Sequence, residues 1–176
     1  METKVEKVSK SNAPKELFRL PAICRAAKII RSGGIVAFPT ETVYGLGASG
    51  LNAAACRKIY EAKGRPSDNP LILHVANRAM VDCCAREVTE AAEKLMAAFM
   101  PGPLTLILPR KSEIPDVITG GLDTVGVRMP EHFAARALSR SRCRASSDPC
   151  GGGADCCAVG KSFGAAESDA RGICPV

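Results

Sequence analysis

Apolar residues recur along the first 138 positions in two alternating rhythms. Between Glu16 and Arg31, Ile23, Ala26, Ala27 and Ile30 fall three and four apart, the spacing that lines one face of a helix, and Gly33-Gly34 supplies its stop. Ile35 to Phe38 is a short unbroken apolar run closed by Pro39, which reads as a buried strand. Asn52 is placed to cap a helix that runs through Tyr60 to Lys63 and ends at Gly64. Leu71 to Val75 predicts a second strand. Val88 to Phe99 predicts a helix on its Leu95, Ala98 and Phe99 spacing, closed by Pro101-Gly102-Pro103. Leu104 to Leu108 and Thr124 to Val127 predict further strands. Strands alternating with helices imply an α/β fold built on a mixed sheet.

The rhythm stops near Leu138. Residues 139–176 hold one Phe, one Ile, two Val and no Leu among Gly, Ser, Ala, Cys and Arg. Such a segment buries too little apolar surface to offset about 1 to 2 kcal/mol of backbone entropy per residue. Three regions are therefore expected: a flexible N-terminal tail over 1–16, one domain over 17–138, and a tail without order over 139–176.

The rest of the composition narrows the setting. No apolar run approaches the roughly 20 residues of a membrane helix, and METKVEKVSKSNAPKE carries no apolar core of a secretory signal. A cytoplasmic protein without a membrane partner is expected. A net charge of +6 favours anionic partners such as nucleotides or RNA. Two tyrosines and five phenylalanines offer few stacking platforms for single-stranded RNA. Nine cysteines form neither a secreted framework nor a C-x-x-C pair of zinc ligands, and no metal site is expected from them. Five of the nine crowd the segment from Cys143 onward.

Gly160-Lys161-Ser162 has the ending of a phosphate-binding P-loop. The loop G-x-x-x-x-G-K-S/T requires a glycine where Asp155 stands, and CGGGA over 150–154 makes no preceding strand, so the match fails. Denser signals lie earlier. FPTETVYGLGA, from Phe38 to Ala48, leaves a strand for a loop carrying Thr40, Glu41 and Thr42, then Gly45 and Gly47, which permit positive φ or close approach to a ligand. EAKGRPSDNPLILHV, from Glu61 to Val75, ends a helix with Lys63 and Arg65 beside Ser67, a group suited to polyphosphate or equally to a solvated helix end. Arg128 follows an apolar strand, where an anionic partner is expected.

These stretches, with Lys63-Gly64-Arg65 as a K-x-R motif, PGPLT at Pro101 to Thr105 and TVGVRMP at Thr124 to Pro130, closely resemble the Sua5/YrdC family of threonylcarbamoyl-AMP synthases over about Leu17 to Leu138. The resemblance implies a twisted mixed sheet with flanking helices and a basic cavity. It implies a nucleotidyltransferase that makes threonylcarbamoyl-AMP and pyrophosphate from L-threonine, bicarbonate and ATP with Mg²⁺, for the t6A modification of tRNA completed by other proteins. By motif position, Thr40, His74 and Arg128 would hold L-threonine, and Lys63, Arg65, Ser67 and Thr124 would contact ATP. The alternative is a non-catalytic module of the same fold that binds double-stranded RNA or tRNA. A carbamoyl-adenylate-forming domain of hydrogenase maturation shares the fold, but neither zinc-finger nor acylphosphatase-like neighbours accompany it here.

The family pattern continues after VGVRMP-x-H with a proline, a helix, a strand and a P-S-A-N-x-S-G loop, whereas here His132 is followed by Phe133 and no such loop occurs. The domain is thus expected to be incomplete at its C-terminal end and its activity impaired. With permitted codons for Ala154 to Ala170, reading one base later spells L-T-A-A-P-S-A-N-R-S-G-R-P-N-P-T. We therefore expect the chain from somewhere in 133–147 onward to be an out-of-frame reading, which would make most of the cysteine excess uninformative. Sequencing the gene checks this: its third bases are expected to permit P-S-A-N one base later, and third bases that forbid it would refute the shift.

Overall fold

The computed structural model describes residues 3–8, 20–64, 66, 69–141, 157–160 and 172–175. In chain order the elements are β1 (Glu6–Lys7), α1 (Pro21–Arg31), β2 (Val36–Phe38), β3 (Gly45–Ser49), α2 (Ala53–Lys63), β4 (Ile72–His74), α3 (Arg78–Cys84), α4 (Glu90–Phe99), β5 (Thr105–Pro109), α5 (Asp116–Thr119), β6 (Thr124–Arg128), α6 (Phe133–Ser141), β7 (Cys157–Gly160) and β8 (Gly172–Pro175). The strands form one mixed sheet in the order β1-β8-β2-β3-β7-β4-β6-β5. β4 and β6 run parallel, and the remaining pairs are antiparallel.

Local chemistry sets the helix ends. The Asn52 side chain accepts a hydrogen bond from the Ala55 N–H at 3.1 Å, and Gly64 closes α2 in the left-handed region at φ 58°. Thr89 caps α4 in the same way through the Ala92 N–H. The expected helix face of α1 is the one buried: Ile23, Ala26, Ala27 and Ile30.

Successive strand residues point to opposite faces. One face is fully covered: Leu46, Ala48, Leu73, Val125, Val127 and Leu108 pack with Cys56, Ile59 and Tyr60 of α2, Met80 and Val81 of α3 and Ile118 of α5. The other face is covered only at the β2 end, where Val36 and Phe38 pack with α1 and with Ala134, Ala135, Ala137 and Leu138 of α6. Toward β5 this second face presents His74, Thr105, Ile107, Thr124, Gly126 and Arg128, residues of the same strand parity by the ladder register. Ile107 is 67% exposed there, while His74 and Arg128 are 3% and 7% exposed, so the opening lies at the β5 edge of this face.

Several expectations are corrected. Gly45 and Gly47 lie in β3, paired with Phe38 and Val36, and neither takes positive φ; the glycines mark a bare strand surface, with the turn lying before them. Of the α4 stripe, Leu95, Ala98 and Phe99 face outward, while Ala92 and Met96 are buried. The helix has two apolar stripes and only one finds a partner. Glu6–Lys7 pairs with β8 as β1, and Arg25 Nε of α1 donates to Glu6 Oε1 at 2.7 Å. Cys157–Gly160 pairs as β7 between β3 and β4, and Gly172–Pro175 as β8 beside β2. Those ladders use main-chain groups, which side-chain composition does not measure.

The corrected orientation of α4 predicts that Met96→Ala lowers stability by about 2 to 5 kcal/mol, whereas Leu95→Ala changes it by no more than about 0.5 kcal/mol. Chemical denaturation of the two variants checks the difference.

Candidate functional site

The loop after β2 is knotted by one hydroxyl. Thr40 Oγ1 donates to the Val43 carbonyl at 2.6 Å, accepts from the Thr42 and Val43 N–H groups at 3.3 and 3.2 Å, and shares a 3.1 Å hydrogen bond with Thr42 Oγ1. A threonine in this position competes with strand pairing and fixes a turn. The turn delivers Glu41 and Thr42 to the open face, where both meet Arg128.

Arg128 ends β6, and its side chain is 8% exposed. Its Nη2 donates to Glu41 Oε1 at 2.7 Å and to Thr42 Oγ1 at 3.4 Å, and its Nε donates to the Gly102 carbonyl at 3.3 Å. Gly102 is itself held by its N–H donating to the Met129 carbonyl at 2.8 Å. A Cβ at Gly102 would stand 2.6 Å from the Phe99 carbonyl oxygen, so the carbonyl that braces Arg128 depends on glycine.

His74 sits opposite Arg128 in the β4–β6 ladder, with Thr105 of β5 on the other side of Arg128. The imidazole is 3% exposed and packs edge-on against Phe38, ring centroids 5.9 Å apart. Burial, reinforced by the Arg128 charge and opposed by Glu41, lowers the His74 pKa to about 3, so the ring is neutral. Among the described residues its Nδ1 has no hydrogen-bond partner. A buried imidazole nitrogen without a protein partner suits a polar group brought by a ligand.

The predicted site residues thus divide. Thr40, His74 and Arg128 come together, Thr40 through its bond to Thr42. Thr124 opens β6 on the same face as Arg128, four residues and roughly 13 Å along the strand. Lys63 closes α2, whose buried residues pack on the covered face. Arg65 and Ser67 lie outside the described residues. Glu41 and Gly102 were given no role from the sequence. The available signal was a carboxylate set between two threonines in the loop after β2.

A mixed α/β sheet that packs helices on one face and sets a buried cation beside a neutral histidine on the other has the chemistry to suit a small polar or anionic ligand. The family model of the Sua5/YciO/YrdC domain, described as telomere recombination, matches residues 28–146, and the chain belongs to that family. It is 58% identical over 113 residues to the threonylcarbamoyl-AMP synthase of Pyrococcus abyssi, spanning 64% of this chain and 33% of that protein. It is 53% identical over 121 residues to the Bacillus subtilis threonylcarbamoyl-AMP synthase, spanning 68% and 35%. The chain therefore spans about a third of the length of these relatives. The crystal structure of P. abyssi Sua5 complexed with L-threonine superposes with a TM-score of 0.71 at 49% identity, over 78% of this chain and 37% of that one. Among the described residues no helix is long and apolar enough to cross a membrane.

The state of His74 predicts a pH effect on stability. Its folded pKa is depressed, so between about 6.5 and about 3 the unfolded chain binds a proton that the folded chain does not. Stability is expected to fall as pH drops through that window, and His74→Gln is expected to flatten the decline between about pH 6.5 and 5. Equilibrium unfolding of both proteins across that range measures it.

Proposed function

We propose that the chain carries part of an L-threonylcarbamoyladenylate synthase site, in which the threonine amine condenses with bicarbonate to a carbamate as a C–O bond breaks and water leaves. A carbamate oxygen then attacks the α-phosphate of ATP and expels pyrophosphate, and the threonylcarbamoyl-AMP formed supplies the t6A modification of tRNA. The observation that carries this reading is the pairing of buried Arg128 with neutral His74 on the open face, in a chain whose relatives are named threonylcarbamoyl-AMP synthase. Arg128 would take the threonine carboxylate by a charge-assisted hydrogen bond. His74, unable to carry a competing positive charge, would meet the ligand's hydroxyl or carbamate, and Thr40, whose hydroxyl fixes the loop after β2, would contact the threonine beside it. Lys63, Arg65, Ser67 and Thr124 would contact ATP, neutralising charge on the phosphates as pyrophosphate leaves. Among the described residues no group of three or more His, Cys, Asp or Glu could hold a metal ion. Mg²⁺ would accordingly arrive on the nucleotide's own phosphate oxygens, where it neutralises charge.

The same reading makes this chain a weak catalyst. The shifted frame places a serine where Val159 stands and an asparagine where Lys161 stands. Position 159 lies in β7 opposite Gly47 and Ile72, which share the strand parity of His74 and Arg128 by the ladder register. An out-of-frame tail would fill the slot beside the site without supplying its hydroxyl and amide. Such a frame change would remove half of the ATP and threonine cradle.

Pyrophosphate release is expected to require L-threonine, bicarbonate and ATP together, and to be faster in a frame-restored chain than in this one. In the restored chain, Arg128→Ala is expected to lower kcat/KM for threonine by about a hundredfold. Salt-sensitive binding of double-stranded RNA or tRNA without threonine-dependent pyrophosphate release would instead favour the non-catalytic module.

A further inference from the structure

Arg128 has five N–H groups, and their partners come from both sides of the open face. Nε is held by the Gly102 carbonyl on the loop before β5, and Nη2 by Glu41 and Thr42 on the loop after β2. None of the hydrogen bonds of Arg128 among the described residues uses Nη1. Two anchors from separate loops fix the plane of the guanidinium and leave one edge for a third group.

Glu41 has a second, longer contact on the side away from the arginine it holds. Its side chain is 17% exposed, and Oε2 accepts from the His132 N–H at 3.5 Å, at the entry to α6. Burial raises its pKa, but the Arg128 hydrogen bond and the main-chain N–H groups of Glu41 and Glu131 outweigh that and hold the carboxyl below the usual range. Glu41 therefore stays ionised at neutral pH and ties three parts of the chain: the loop after β2, the end of β6 and the start of α6. A carboxylate merely standing in for a ligand would have no reason to be held from its far side.

We propose that Glu41 is a positioning residue, which sets the orientation of the Arg128 guanidinium so that its remaining edge meets an incoming carboxylate. The opposite arrangement, in which Glu41 occupies Arg128 until a ligand displaces it, makes the opposite prediction. Removing a positioning carboxylate weakens the binding of an acid ligand. Removing a competing one tightens it.

The experiment uses the 176-residue chain with Glu41→Ala and Glu41→Gln, the latter isosteric and still able to accept a hydrogen bond. Without any ligand, solvent exchange of the Arg128 Nε–H, followed by NMR, is expected to be slow in the parent. It is expected to be about tenfold faster in Glu41→Ala and intermediate in Glu41→Gln. Unchanged exchange in Glu41→Ala overturns the proposal. Calorimetry with L-threonine is expected to show about tenfold weaker binding in Glu41→Ala, partly restored in Glu41→Gln, with L-threoninol, which lacks the carboxylate, indifferent to both changes. Tighter L-threonine binding in either variant also overturns it. The calorimetric arm rests on the function proposed above and the exchange arm does not. If the parent binds no L-threonine while exchange responds as expected, the positioning role stands and the threonine reading falls.

Discussion

A guanidinium removed from water demands compensation for every lost hydration contact, and the site is organised around meeting that demand for Arg128. Its partners are 26 and 87 residues away along the chain, at Gly102 and Glu41. The cluster therefore exists only when β2, β6 and the turn that follows α4 are all in place. That cation in turn governs its neighbour. His74 is neutral because it is buried and because the position beside it already carries a positive charge that Glu41 only partly offsets. Protonation at the site is thus a property of the assembled sheet, and a change that loosens the Glu41 loop would alter the electrostatics of His74 without touching it.

The sheet divides its labour between two faces and, on one of them, between two halves. α1 and α6 close the β2 end of the second face with a small core of Ile23, Ile30, Phe38 and Leu138, while the β4, β6 and β5 end stays open. Phe38 stands at the border, in that core on one side and in contact with His74 on the other. Gly45, Gly47 and Gly126 keep the strand surface low across this face. At Gly126 a Cβ would lie 3.4 to 3.6 Å from Thr105, Ile107 and Ile72, enough to fill the floor between them. The glycines serve the shape of a surface more than the freedom of a turn.

Much of this was legible in the chain's own pattern. The α1 face could be read because every one of its apolar positions finds a partner, and the ends of α2 because Asn52 and Gly64 act through local geometry. Periodicity could not choose between the Ala92–Met96 stripe and the Leu95–Phe99 stripe of α4, since that choice belongs to whatever packs against the helix. The short helices α3 and α5 offered too few turns to show a period. Thr40, His74 and Arg128 were assigned through motifs, and the fold brings them into one neighbourhood. An anionic partner for Arg128 was expected, but Glu41 could not be named as that partner, because no spacing rule links a loop carboxylate to a strand 87 residues later.

β7 occupies a central slot of the sheet, bonded to β3 along one edge and β4 along the other, through four residues. A ladder is written in peptide groups, which every residue but proline carries in full, so a slot of this kind admits almost any stretch able to extend. The residues that surround a ligand have no such latitude. Architecture and chemistry therefore rest on different groups in this domain: the ladder on peptide units that nearly every residue supplies, the ligand-facing surface on particular side chains that few residues could replace.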